Sequence, residues 1–418
     1  MSVPVQRLVA ALDLGSTRVT GIIGEVTGSG PSWGLRILGV ATEPSTGVRR
    51  GAIRDFEETV RAVRKVMKDA ERMAGLEVGT VDVGVAGEHV AQRVSHGVAS
   101  VTGSEIRTAD LARVNDVASD VSFGHDQELL HAIAHDYRVD GQAGHADPIG
   151  MTGEQLEAEV YLITARASAL AHLRKAVEKA GWHVGEFVVE PLASSLAVLT
   201  PEEREAGVVS VEFGGGSTTV AIFQGGKLRH TASLRFAGGH VTSDLVHGLQ
   251  VPQAEAEQLK VRYGAAYEPL VPEGERVELA ASHGHPVRHA TRRTIAHIMH
   301  MRLQEVAELA SDEITRAGWA MAGLPAGVVL SGGGAAAPGM VELVRDVFAA
   351  PVRIGVPAAG LRGLVDRVAF PGYAVPVGLA LYGARQVAQG GGFGAGGRTS
   401  PAVERVLGPV KRWFQDFF

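Results

Sequence analysis

Alternating apolar and polar positions dominate the first forty residues. Leu8 to Leu12 is an apolar run interrupted by Asp13, and a glycine turn follows at Gly15. Apolar positions resume at Val19, Ile22, Ile23 and Val26, and after a Gly/Pro-rich turn at residues 28–31 a third run covers residues 36–41. Such runs bounded by glycine turns predict a three-stranded meander. The period then changes: Val60, Val63, Met67, Ala70 and Ala74 recur at three- and four-residue steps, which predicts an amphipathic helix over residues 57–74. A strand over residues 80–87 comes next.

Residues 87–160 differ in character, with short strands such as residues 93–101, a helix from Thr108 to about Ser119 and a loop-rich stretch over residues 140–151. This reads as a small inserted subdomain. A helix from Ala167 to Ala180 and a strand over residues 184–190 restore the α/β alternation. At residue 207 the opening pattern starts again: a strand, the turn Gly214-Gly215-Gly216, a strand to Phe223 and a third over residues 227–236. The repeat lies in architecture rather than in letters. Helices are expected at Val241 to Gly248, Pro252 to Tyr263, about Arg288 to Ala317, Gly339 to Phe348 and Val377 to about Val387, and residues 390–397 form a Gly-rich linker.

At 418 residues and 45% hydrophobic, the chain exceeds what one core holds, so two lobes are expected. The formal charge of −6 provides no basic field for nucleic acid, and none is expected as a partner. Without cysteine there is no disulfide framework and no thiolate metal site, which fits a reducing compartment. The N-terminal apolar run lacks a signal-peptide pattern, and no stretch reaches the ~18 uninterrupted apolar residues of a membrane span.

The candidate chemistry sits in the turns. Glycine lets backbone N–H groups approach phosphate oxygens without a Cβ in the way. Two facing turns would clamp a nucleotide's phosphates: Gly15, Ser16 and Thr17 after Asp13, and Gly214, Gly215, Gly216 and Ser217 after Glu212. An acid at the end of each first strand can hold Mg²⁺ through its waters. A third cluster, Gly332, Gly333 and Gly334, offers flat backbone to a purine ring, and Glu190, between a strand and a helix, can orient a water. Each signal is weak alone; one phosphate turn per lobe is a stronger one.

In this order the pieces resemble the actin superfamily, and the segment of residues 131–165, with Asp147-Pro148-Ile149-Gly150-Met151 intact, resembles the insertion of its FtsA family of bacterial cell-division proteins. The resemblance covers roughly residues 7–388. It implies a two-lobed α/β fold of duplicated ribonuclease H-like design: residues 1–86, 161–196 and 372–388 in the first lobe, 87–160 inserted, 197–371 in the second lobe with 228–310 as its smaller subdomain, 389–400 as linker, and 401–418 as an amphipathic helix. It further implies ATP and Mg²⁺ in the cleft, Asp13 as the magnesium-side acid, Glu190 and Glu212 as the catalytic carboxylates, Lys260 beside the adenine, and a second hinge helix over residues 374–384. By the same resemblance the partners are the chain itself in a filament, the C-terminal peptide of FtsZ, and later divisome proteins. Arg292, Arg293 and Arg302 are the cations on the long helix available to an acidic peptide. The family usually carries aspartate where this chain has Glu212, and a shift of about one ångström there can cost ~10²-fold in rate. Binding of ATP with at most weak hydrolysis is therefore expected.

Past the linker, Val403, Val406, Leu407, Val410, Phe414 and Phe417 share one helical face. Pro409 restarts the helix, so Val410, Lys411, Arg412, Trp413, Phe414, Phe417 and Phe418 form the wedge expected to enter an anionic membrane surface, on the cytoplasmic side of the inner membrane. One aromatic contributes about 1.5–3 kcal/mol and a peptide this short must order as it binds, so stable attachment needs many tails on one polymer. Two other readings share the fold: a small-molecule kinase, which leaves the tail without a use, and the actin-like protein of type IV pilus assembly, which is not expected to carry such a tail.

Overall fold

The computed structural model describes residues 7–28, 32–280 and 287–389. Two sheets with one topology organise the chain. In the first, Leu8–Leu14 pairs antiparallel with Arg18–Thr27, which pairs antiparallel with Gly34–Pro44, while Thr80–Val85 and His183–Val189 add in parallel on the other side. The second repeats this order with Val208–Phe213 at its centre, Thr218–Gln224 and Lys227–Leu234 on one side, and Val328–Ser331 and Val352–Ile354 on the other. The register matches too: Asp13 lies opposite Thr20 and Glu212 opposite Thr219, each one pair before its turn.

The helix Phe56–Ala74 begins where the Asp55 carboxylate accepts the Glu58 N–H at 3.0 Å and ends at Gly75 in the left-handed region, burying Val60, Val63, Met67 and Ala70 on the first sheet. Between the sheets cross two apolar helices, Glu190–Val198 and Ala374–Ala388. The second starts earlier than its apolar pattern implied, because Pro376 sits in the first turn, where its missing N–H costs nothing.

Between Thr80–Val85 and His183–Val189 the chain builds a four-stranded antiparallel sheet, in the order Val90–Ser100, Gln155–Arg166, Gln127–Val139, Gln142–His145. The helix Thr108–Ser119 covers one face, with the Asn115 amide donating to the buried Tyr137 hydroxyl at 2.9 Å. The Asp147 to Met151 turn is tied to Ile106: Ile106 N–H donates to Met151 O at 2.8 Å and Gly150 N–H to Ile106 O at 2.9 Å. Gln155–Arg166 pairs along its whole length, so the expected boundary at residue 160 falls inside a continuous strand.

This inserted sheet also grips the second lobe. Lys227 Nζ donates to His135 O at 2.9 Å, His135 Nε2 bonds Leu228 O at 2.7 Å, and Arg229 pairs with Asp136 at 2.9 Å. Burial pulls His135 down to about 4, so its ring is neutral and Nε2 is the donor. Nearby, Gln92 Oε1 accepts from the Tyr161 hydroxyl and from Thr231 N–H, while its Nε2 lies 3.2 Å from His230 Nδ1. Gln92→Ala leaves the buried Tyr161 hydroxyl without its acceptor, while Thr231 N–H keeps the Tyr161 oxygen at 3.0 Å, and is expected to cost about 2 kcal/mol. A urea midpoint shift checks it; an unchanged midpoint means water replaces the amide.

Two expectations are corrected. Arg288–Thr291 is a strand paired with Arg276–Leu279, and the long helix runs Arg292–Arg316, because the Thr291 hydroxyl caps it by accepting Thr294 N–H at 3.0 Å. Leu361–Gly363, expected in the second lobe, joins the first sheet in parallel beside Gly34–Pro44 and covers that edge. The linker and the tail residues Val410 to Phe418 lie outside the described residues.

Candidate functional site

Both glycine turns open into one cleft of about 430 Å³ between the sheets. Its lining includes Asp13, Gly15, Ser16, Thr17, Glu190, Glu212, Gly214, Gly215, Gly216, Ser217, Lys260, Gly332, Gly333 and Gly334, so the residues singled out from sequence are brought together. The turns touch. A Cβ on Gly216 would lie 2.2 Å from Ser16 Oγ, and one on Gly215 would lie 2.4 Å from Thr17 Cγ2. Behind the second turn, Gly238 N–H donates to Gly214 O at 3.1 Å and Gly239 N–H to Gly215 O at 2.8 Å. Ser16 Oγ in turn accepts Arg50 N–H at 2.8 Å.

Three carboxylates share the floor, each at a strand end or at the first residue of a helix. Burial, offset in part by the Arg18 guanidinium, raises Asp13 to about 6. Burial and then Asp13 raise Glu212 to about 8, again with Arg18 opposing. Glu190 is pushed well above the ordinary range by burial and by both acids. Glu212 Oε2 is buried without a hydrogen-bond partner. Such a cluster has a deficit of positive charge.

Lys260 Nζ donates to Glu257 Oε2 at 2.7 Å, Thr242 Oγ1 at 2.8 Å and Gly238 O at 3.2 Å, which holds its stem along the cleft wall. Beyond it Val261, Met299 and Leu303 supply an apolar wall. Sequence reading missed these, and it missed Glu257 and Arg18. Glu257 was visible one helical turn before Lys260. Arg18, directly after the first turn, donates to Gly372 O and lays its guanidinium 4.8 Å from the Tyr373 ring, joining the turn to the start of the helix Ala374–Ala388.

The three arginines suggested for an acidic peptide are all engaged. Arg292 pairs with Glu275 at 3.0 Å, Arg293 with Glu268 at 3.0 Å and also with Glu273, and Arg302 with Asp244 at 2.6 Å and also with Glu305. An incoming carboxylate would have to displace these partners.

Two repeated sheets, crossed by two apolar helices, with a glycine turn from each meeting over a carboxylate cluster, define an actin-like protein. Among solved structures the chain is similar to the PilM–PilN type IV pilus biogenesis complex (TM-score 0.65, 16% identity, 90% of this chain and 98% of that one) and to MreB5 of Spiroplasma citri bound to ADP (TM-score 0.54, 13% identity, 90% and 96%). The family "Cell division protein FtsA" matches residues 209–378, and "SHS2 domain inserted in FTSA" matches residues 87–164. Cell division protein FtsA of Pseudomonas aeruginosa is 37% identical over the full length of both chains, that of Neisseria meningitidis 33% over 99% of both, and that of Escherichia coli K12 35% over 90% of both. The chain belongs to the FtsA family of cell-division proteins.

Proposed function

We propose that this chain binds ATP with Mg²⁺ in the cleft, polymerises, and tethers FtsZ filaments to the cytoplasmic face of the inner membrane at the division site, where later divisome proteins join. The observation that carries the nucleotide reading is the meeting of two backbone-rich turns, one per lobe, over Asp13, Glu190 and Glu212. MreB5, of the same fold, was solved with ADP. The acid cluster fits a hydrated divalent cation: burial has raised all three carboxyls, and one oxygen of Glu212 lacks a partner. Asp13 would hold Mg²⁺ through water, with Glu212 beside it, and the ion would supply charge neutralisation between phosphate oxygens.

The chain's own residues do the rest. Amides of Gly15 to Thr17 and Gly214 to Ser217 hold phosphate, Gly332 to Gly334 lie along the purine, and Lys260 and Glu257 flank the nucleoside. Glu190, in its ionised form, orients a water. The longer Glu212 keeps turnover weak. Closure of the lobes then sets the polymer contacts. The FtsZ C-terminal peptide is received by the subdomain of residues 228–310, and the tail from Val410 to Phe418 enters the anionic surface, many weak tails acting together on a filament.

Co-sedimentation with anionic liposomes, with and without ATP, tests this reading on the full chain and on one cut after Gly397. The full chain is expected to pellet in an ATP-dependent way and the cut chain to stay in solution. Equal pelleting by both would remove the tail from the tether.

A further inference from the structure

Beside the point where the two turns meet, and next in sequence to the cleft-lining Gly51 and Val241, one side chain from each lobe reaches the other. Arg50, in the left-handed region at φ 52°, sits on the loop between the third strand and the helix Phe56–Ala74. Its amide fixes Ser16, and its guanidinium Nη2 reaches 3.2 Å from His240 Nε2. His240 stands in the first turn of the helix Gly238–Leu249, two residues beyond Gly238, whose amide holds Gly214. The chain of contacts from Ser16 through Arg50, His240 and Gly239 to Gly215 is thus a ring around the contact between the turns.

The imidazole in this ring faces two donors. Nδ1 accepts Ala237 N–H at 3.2 Å, and Nε2 faces the guanidinium. A neutral imidazole has one N–H and one acceptor nitrogen, so it cannot accept from both. Burial, then Arg50 and Arg302, with only the Ala237 amide and Asp244 opposing, hold its pKa below the ordinary value and keep the ring neutral. With Nδ1 occupied by the amide, the Nε2–H points at an N–H of Arg50. An oxygen anion that parts the pair would accept from both groups at once.

We propose that Arg50 Nη2 and His240 Nε2 together bind an oxygen of the outermost phosphate of the nucleotide, one donor from each lobe, so that the triphosphate draws the cleft mouth closed and the diphosphate does not. This rests on the nucleotide reading above and assigns the discrimination between the two nucleotides to this pair. Arg50 supplies the charge. His240 supplies the second lobe's share of the grip, so losing either one releases the other.

The test is stopped-flow dissociation of fluorescent N-methylanthraniloyl ATP and ADP from the full chain with Mg²⁺, for the unaltered protein, Arg50→Ala, His240→Ala, the double variant and His240→Gln. The single alanine variants are expected to release the triphosphate about tenfold faster and the diphosphate within twofold of the unaltered rate. The double variant should be no worse than either single one, as coupled partners require. Glutamine, whose amide can still donate, should keep most of the discrimination, and its urea midpoint should match the unaltered chain. Equal acceleration for both nucleotides, or none for either, overturns the assignment while leaving nucleotide binding intact. An unaltered chain that binds neither nucleotide overturns the nucleotide reading and this proposal with it.

Discussion

Gly378→Ala is expected to destabilise the protein by about 3 kcal/mol or more, the reverse of what a glycine-to-alanine change does on an exposed helix, where it gains ~1 kcal/mol. A Cβ at this position would lie 1.8 Å from Ala193 O, 2.3 Å from Ala193 C and 3.0 Å from Ser194 N. All three are backbone atoms of the facing helix Glu190–Val198, so no rotamer relieves the clash. The helices must separate, and with them Leu192, Ala193, Val377 and Leu379, each fully buried in the core between the lobes. Overpacking that a side chain could absorb costs ~1–3 kcal/mol; a displaced helix pair should exceed that range. Urea unfolding of the soluble fraction gives the answer. A variant as stable as the parent would show that the two helices do not meet at this point.

The second large effect is a pH dependence set by the three cleft carboxyls. Asp13 at about 6, Glu212 at about 8 and Glu190 well above its ordinary value all hold protons that the unfolded chain releases near pH 4. Between those limits the folded state binds more protons than the unfolded one, so stability falls as pH rises. The contribution is complete below about pH 4 and is lost as pH climbs through each folded value. A tenfold difference in proton affinity between the folded and unfolded chain is worth ~1.4 kcal/mol, so the cluster should remove several kcal/mol between pH 5.5 and 8.5 from the nucleotide-free protein. Glu212→Gln and Asp13→Asn should each flatten the decline, and Mg²⁺ with ATP should offset it at pH 8.5, where the acids are ionised and the cation is held best. A level urea midpoint across this range would mean that the acids are solvated rather than desolvated.

How far the sequence could be read depended on whether a signal was local. The two glycine turns were legible because strand, acid, glycine and strand follow within a few residues, and the structure lays Asp13 and Glu212 in the same register. The inserted sheet was legible through Asp147 to Met151, whose turn is sewn to Ile106. Leu361–Gly363 was not, since three residues, largely exposed and ending in glycine, acquire strand geometry only from the edge they join. The start of the long helix was blurred for a related reason: Arg288–Thr291 depends on pairing with Arg276–Leu279, although the cap at Thr291 is itself a local signal. Arg50 and His240 belong to segments almost two hundred residues apart, and their contact follows from the meeting of the turns. The pairing of Arg292, Arg293 and Arg302 was equally out of reach, because most of their acids come from other elements.

The helix Ala374–Ala388 completes a lobe that the chain begins at Leu8, and its burial on Glu190–Val198 has a consequence for synthesis. A ribosome adding ~5–20 residues per second reaches Ala374 on the order of ten to thirty-five seconds after Val198. Throughout that interval the nascent first lobe leaves the seat of its last helix, an apolar trough around Val9, Leu192 and Ala193, uncovered. The second lobe, continuous from Val208 to Ile354, can mature first. The first lobe therefore cannot close its core until the residues from Ala374 onward clear the exit tunnel.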